Sequence, residues 1–156
     1  MIDTQQLCTF LVRAKTSTYA AGDKANKKIE QDKSTSLFYK EWDWTYHDNY
    51  FGGEPYGWRE VVLYKNNPVY IMTYYWYVYE HISDVKTIYI FLQHALSVIP
   101  EQYPYRGPQH YNKENLSYIN TFTGNIDNFS GEEIITRNWE EIYKAKYIGG
   151  FVDQRK

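Results

Sequence analysis

Cysteine is almost missing from this chain of 156 residues, in which Cys8 stands alone. No internal disulfide can form, and a chain of this length is large enough for one domain, residues 1–156, to stand on its own core. Cys8 falls within an apolar-periodic segment and reads as a small core hydrophobe in a reducing compartment. An excess of one charge is also missing, with 17 Lys and Arg against 19 Asp and Glu. That excludes the one-signed field on which sequence-independent nucleic-acid binding depends, so no direct nucleic-acid partner is expected. No apolar run approaches the roughly 20 residues that cross a bilayer, and the opening MIDTQQLCTFLV lacks the basic stretch of a signal peptide. A cytoplasmic location without a membrane partner is the expectation. Phosphate loop, dinucleotide fingerprint and nucleophile elbow are all lacking. His47, His81, His94 and His110 show no metal-ligand spacing, so neither metal nor cofactor is expected.

What the chain has in abundance is tyrosine, 18 residues, with 5 Trp and 7 Phe besides. A tyrosine buries its ring but wants a partner for its hydroxyl, so this interior is either a polar-tipped core or a cavity. The stretch WDWTYHDNYFGGE at 42–54 poses the question sharply. Trp42, Trp44, Tyr46 and Tyr50 recur in one strand register with Asp48 among them.

Along the chain, Leu7, Phe10, Leu11 and Ala14 trace the buried stripe of a helix over 3–16 capped by Asp3. Thr16-Ser-Thr18 ends it by hydroxyl competition for the backbone. Residues 22–36, GDKANKKIEQDKSTS, read as a long polar loop, either a solvated connector or a lid. Strands follow at 42–51, 58–65 and 69–79. With Asn66 and Asn67 as turn residues, the register pairs Glu60 with Thr73 and Val62 with Ile71. A second helix runs from a cap at Ser83 or Asp84 to Ile99, stopped by Pro100. QYPYRGPQ at 102–109 is an ordered or clamped loop, and strands at 116–123, 132–138 and 141–148 complete a meander. The fold class is thus α+β: a strongly twisted, mostly antiparallel sheet of about six strands, able to curl into a half-barrel, with two packed helices.

Several short signatures lie in order along the chain: FLVRAKTSTYA at 10–20, WTYHDNYFGG at 44–53, PVYIMTYY at 68–75, YRGP at 105–108, FSGEEII at 129–135 and YIGG at 147–150. Together they resemble a bacterial domain family of unknown function, found stand-alone in the cytoplasm or behind an N-terminal helix-turn-helix in transcriptional regulators. The resemblance implies an α+β domain with a link to regulation. The chain begins at that pattern's first helix, so no DNA-reading domain is expected. It differs in TYYWYVYEH, where a glycine more often follows the second aromatic.

Candidate site residues come from the aromatic face and its few charges. Asp48 must find donors or water there, through Arg13 or Arg106 as structural support, or as the wall of a cleft. Glu60 lies on the next strand, flanked by Trp58 and Val62. The two carboxylates suit general acid and base work if their separation and acidity allow. Arg106, held stiffly by Pro104, Gly107 and Pro108, either anchors a ligand carboxylate or phosphate, or pins its loop to Asp48 or Glu60. Gly52-Gly53 is either a tight bend or a ligand-facing backbone. The leading expectation is a small-molecule binding or sensing domain in which Trp44, Tyr46, Asp48, Tyr50, Glu60, Tyr74 and Arg106 line an aromatic cavity. Two alternatives stay open: an enzyme using Asp48 and Glu60, and a protein-interaction module or homodimer covering the aromatic face.

Overall fold

Asp3 caps the first helix as its position predicts. Its carboxylate accepts hydrogen bonds from the Gln5 and Gln6 amides, and α1 runs Thr4–Ser17. The structure, a computed structural model, describes residues 2–153. Leu7, Cys8, Phe10, Leu11 and Ala14 are all buried. The Thr16 and Thr18 hydroxyls turn back onto the Val12 and Ala14 carbonyls, and the helix ends there. A short 3-10 segment, Tyr19–Lys24, follows and kinks at Gly22.

The expected loop at 22–36 is largely structured. It holds β1, Lys27–Ile29, paired with β2, Thr35–Glu41. The three β1 residues are exposed, so this edge strand has no apolar alternation by which to be read. The chain continues through β3 (Trp44–Gly52), β4 (Tyr56–Tyr64), β5 (Asn67–Val78), α2 (Val85–Ser97), β6 (His110–Lys113), β7 (Leu116–Asn125), β8 (Asn128–Arg137) and β9 (Glu140–Phe151). All nine strands join one antiparallel sheet in the order β1-β2-β3-β4-β5-β9-β8-β7-β6. The expectation of about six strands therefore falls short by β1, β2 and β6. The sheet does not close: β1 and β6 are its edges, three and four residues long.

The β4–β5 register also needs correction. The turn residues are Lys65 and Asn66, with φ of 50° and 65°, the doubly left-handed form that matches strand twist. Glu60 pairs with Met72 and Val62 with Tyr70, with an irregularity between Val62 and Leu63. Glu60, Val62, Tyr70, Met72, Tyr74 and Trp76 therefore share the buried face, while Arg59, Thr73 and Tyr75 are exposed on the other. Trp42 leaves the aromatic stripe altogether. It sits at the β2–β3 turn with positive φ and is 89% exposed.

Both helices cover the same sheet face. Phe10 of α1 stacks on Trp44 and leans at a tilt against Tyr39, and Tyr89 of α2 meets Tyr56 edge-on. Between them Tyr19 of the 3-10 segment stands against Trp58 and Trp76. Asp84 occupies the N-cap of α2 without a capping bond, its carboxylate being taken bidentately by Arg137. Among the described residues no helix is long and apolar enough to cross a membrane.

Candidate functional site

On the covered face the expected aromatic stripe is real, and its rings pack on one another. Trp58 stacks at 4.4 Å on Tyr50 and 5.5 Å on Tyr74, and Trp76 lies 5.0 Å from Trp58 and 4.9 Å from Tyr56. Stacked rings leave little free volume. What remains is a cavity of about 20 Å³ between α1, the 3-10 segment and β3–β5, room for one water-sized occupant. Tyr46, Glu60, Tyr74 and Arg106 line it, with Lys15 and Tyr105. Asp48 stands directly across the strand pair from Glu60. Tyr50 is one row further along the sheet beside Trp58. Trp44 is buried at the far end of β3 against Phe10 and Tyr64. The structure thus brings four of the seven expected residues to one cavity, sets Asp48 beside it, and places Trp44 and Tyr50 in the packed wings.

Two buried ion pairs organise the charges. Lys15 Nζ stands 2.6 Å from Glu60 Oε2 and donates to the Tyr105 carbonyl, also at 2.6 Å, while the Tyr74 hydroxyl donates to Glu60 Oε1. Arg106 Nε stands 3.0 Å from Glu133, and its guanidinium lies 4.5 Å from the centre of the Tyr74 ring. Arg106 therefore pins its loop to Glu133, not to Asp48 or Glu60 as the sequence suggests. Arg13 pairs with Glu41 at the surface and is no partner of Asp48.

The YRGP loop is clamped from below. The Tyr118 hydroxyl donates to Glu133 and accepts the Gly107 amide, and Asn120 donates to the Gly107 carbonyl. A Cβ on Gly107 would meet the Tyr118 hydroxyl at 2.9 Å, which explains the glycine there. At Gly52 the bend reading holds: φ is 92°, and a Cβ would stand 2.6 Å from the Pro55 carbonyl.

Among the described residues, four of the five buried charges are thereby matched, leaving Asp48 the odd carboxyl. It is fully buried, and neither oxygen has a hydrogen-bond partner in ordinary geometry. Burial, then the Glu60 charge, push its pKa well above the carboxylate range; Lys15, Arg106 and the nearby Tyr46 hydroxyl oppose this more weakly. Of the buried carboxyls, Asp48 is the one whose proton is held more tightly than in water. Burial lowers the Lys15 amine from the ordinary lysine range, with Glu60 pulling it back. Arg106 Nη2, the Tyr70 hydroxyl and Trp58 Nε1 also lack a hydrogen-bond partner. Orphaned buried polar atoms are rare and cost about 1–3 kcal/mol each.

Lys15 and Glu133 escape a reading for function, although each carries a signal. Lys15 continues the Leu7, Leu11 spacing on the buried side of α1. Glu133 alternates in phase with Ile135, which is fully buried. On the opposite sheet face His47 stacks on Phe38 and meets Ser36. His81 pairs with Glu140 at the surface. Among the described residues no group of three or more His, Cys, Asp or Glu is arranged to hold a metal ion.

Among curated proteins and among solved structures, nothing matches the chain. A family model does, from Asp48 to Val152, taking in Asp48, Glu60, Tyr74, Arg106 and Glu133 but not α1 with Lys15. The chain belongs to the family described as a domain of unknown function, DUF5680.

Proposed function

We propose that this is a small-molecule binding domain, used for sensing in a bacterial cytoplasm, whose ligand enters the cavity beneath Lys15 and the 3-10 segment. The observation that carries the reading is the convergence of the buried Lys15–Glu60 pair and of Arg106, whose Nη2 has no partner, on one aromatic-walled cavity. Groups held so are pre-oriented for a ligand that completes their hydrogen bonds, and the stacked rings add contact area. The resemblance to domains behind helix-turn-helix modules favours sensing, with a link to transcriptional regulation. The cavity is water-sized as it stands, so a ligand must displace part of the cover.

The test is a panel of small carboxylates, amines and neutral polar molecules, read by the indole NMR signals of Trp58 and Trp76 and by thermal shift. At least one chemical class should move both indoles saturably, and Glu60→Gln should weaken that class about tenfold. A panel that leaves both indoles still at millimolar concentration overturns the reading.

A second reading, an enzyme working through Asp48 and Glu60, is favoured by one observation: a buried carboxyl, its pKa pushed above the ordinary carboxylate range, directly opposite an ion-paired carboxylate. It differs in requiring turnover. Product accumulation from a panel ligand, lost in Asp48→Asn with binding retained, would select it.

A further inference from the structure

Lys15 is the feature of the cavity that a ligand-sensing role leaves unexplained. A lysine in the last turn of a helix ordinarily extends its ammonium into water. This one is 8% exposed and brings Nζ to the cavity wall, against Glu60 and the Tyr105 carbonyl. Beside it, the same wall carries a second cation, Arg106, with Nη2 unpartnered. A desolvated amine with a second cation beside it is the arrangement by which lysines become nucleophiles toward carbonyl carbon, and Glu60 is placed to take the proton such an amine must lose. A fixed guanidinium with a spare donor suits a carboxylate. Resting on the ligand-binding reading, we infer that the cavity takes a small 2-oxo acid, with its carboxylate on Arg106 and its carbonyl condensing with Lys15.

The chemistry balances within the side chains present. Glu60 takes a proton from the Lys15 ammonium, and the freed nitrogen lone pair forms the N–C bond while the carbonyl π pair moves to oxygen. That oxygen takes the excess proton from the attached nitrogen and becomes the carbinolamine hydroxyl. Loss of the hydroxyl as water, with a proton returned through Glu60, leaves a protonated imine. Ammonium plus carbonyl gives iminium plus water, with no oxidant or reductant consumed. Tyr74, donating to Glu60 Oε1 at 2.9 Å, holds that carboxylate in place for both transfers.

Pyruvate and sodium cyanoborohydride, added to the full chain near pH 7, test this directly, because reduction fixes any imine as a stable secondary amine. The expected result is one adduct per chain, mapped to Lys15. Acetone, which offers the carbonyl without the carboxylate, should label Lys15 at least tenfold more slowly. Lys15→Arg, checked for an intact fold by near-ultraviolet circular dichroism, should remove the fast adduct. Labelling spread over surface lysines, with Lys15 unmodified while pyruvate still moves the Trp58 and Trp76 indoles, overturns the covalent role and leaves the binding reading standing. Equal rates for pyruvate and acetone at Lys15 overturn the carboxylate contact with Arg106. No indole movement by pyruvate and no Lys15 adduct reject the 2-oxo acid class, while the wider panel still decides whether the cavity binds at all.

Discussion

Asp48 makes a sharp claim at the scale of one residue. Glu60 faces it from β4, Lys15 from α1 and Arg106 from the YRGP loop, and the balance holds its proton well above the ordinary carboxylate range. Between that range and the raised value the folded chain keeps a proton that the unfolded chain has released, so stability falls as pH rises. A single group gives at most about 1.4 kcal/mol per pH unit. Asp48→Asn should flatten the pH dependence, stabilising the chain at pH 7 and giving little gain near pH 4. Urea midpoints measured across that range check it, and parallel curves for the two proteins would reject it. Glu133 claims the opposite sign. Removing its charge strands Arg106, and losing one partner of a buried pair costs about 3–5 kcal/mol. Glu133→Gln should therefore lower the urea midpoint steeply, whereas Lys144→Ala, which loses only the partly exposed Glu132 and Glu141 contacts, should cost under about 1 kcal/mol.

Among the elements, the turns carry the next prediction. At the β8–β9 turn Asn138 and Trp139 both have positive φ, 49° and 74°, and Trp139 is 98% exposed. A tryptophan in the left-handed region is strained, and nothing buries its ring to offset that. Trp139→Gly creates the Asn-Gly pair such turns prefer and should stabilise by about 0.4–1 kcal/mol, the roughly 1–2 kcal/mol of left-handed strain relieved being partly offset by the greater freedom of glycine in the unfolded chain. At this chain length that is roughly 1–4 °C in melting temperature, measurable by calorimetry. These turns also explain what the sequence conceals. Both helices, β3 to β5 and the closing meander were legible, because their apolar residues recur at the right period. The β4–β5 register was misread by one residue, since Lys65-Asn66 and Asn66-Asn67 are equally plausible turn pairs by composition. β1 and β6 stayed hidden because edge strands with little to bury show no alternation. The site was half legible: a lone carboxylate on an aromatic face announces itself, while Lys15 is recognised only once its helix is seen to bury that side.

Across the whole molecule, the aromatic residues form a continuous layer between sheet and cover. Trp58 joins Tyr50, Tyr74 and Trp76 of the sheet to Tyr19 of the 3-10 segment. Trp58→Ala should cost about 3–5 kcal/mol, through lost burial and the cavity left behind. It should also enlarge the space beside Tyr74, so a thermal-shift comparison would show greater stabilisation by small aromatic additives than in the parent chain. The short borders of the sheet have a consequence of their own. A wide, ring-laden sheet is a natural template for strand addition by neighbours, and growth of that kind starts at open backbone. Here the open backbone is confined to two short ribbons, one bearing Lys27 and Lys28 and the other ending at Lys113, so like charge meets like whenever two copies approach border to border. Fibril formation should accordingly be slow in the native state and quicken when those three lysines are neutralised.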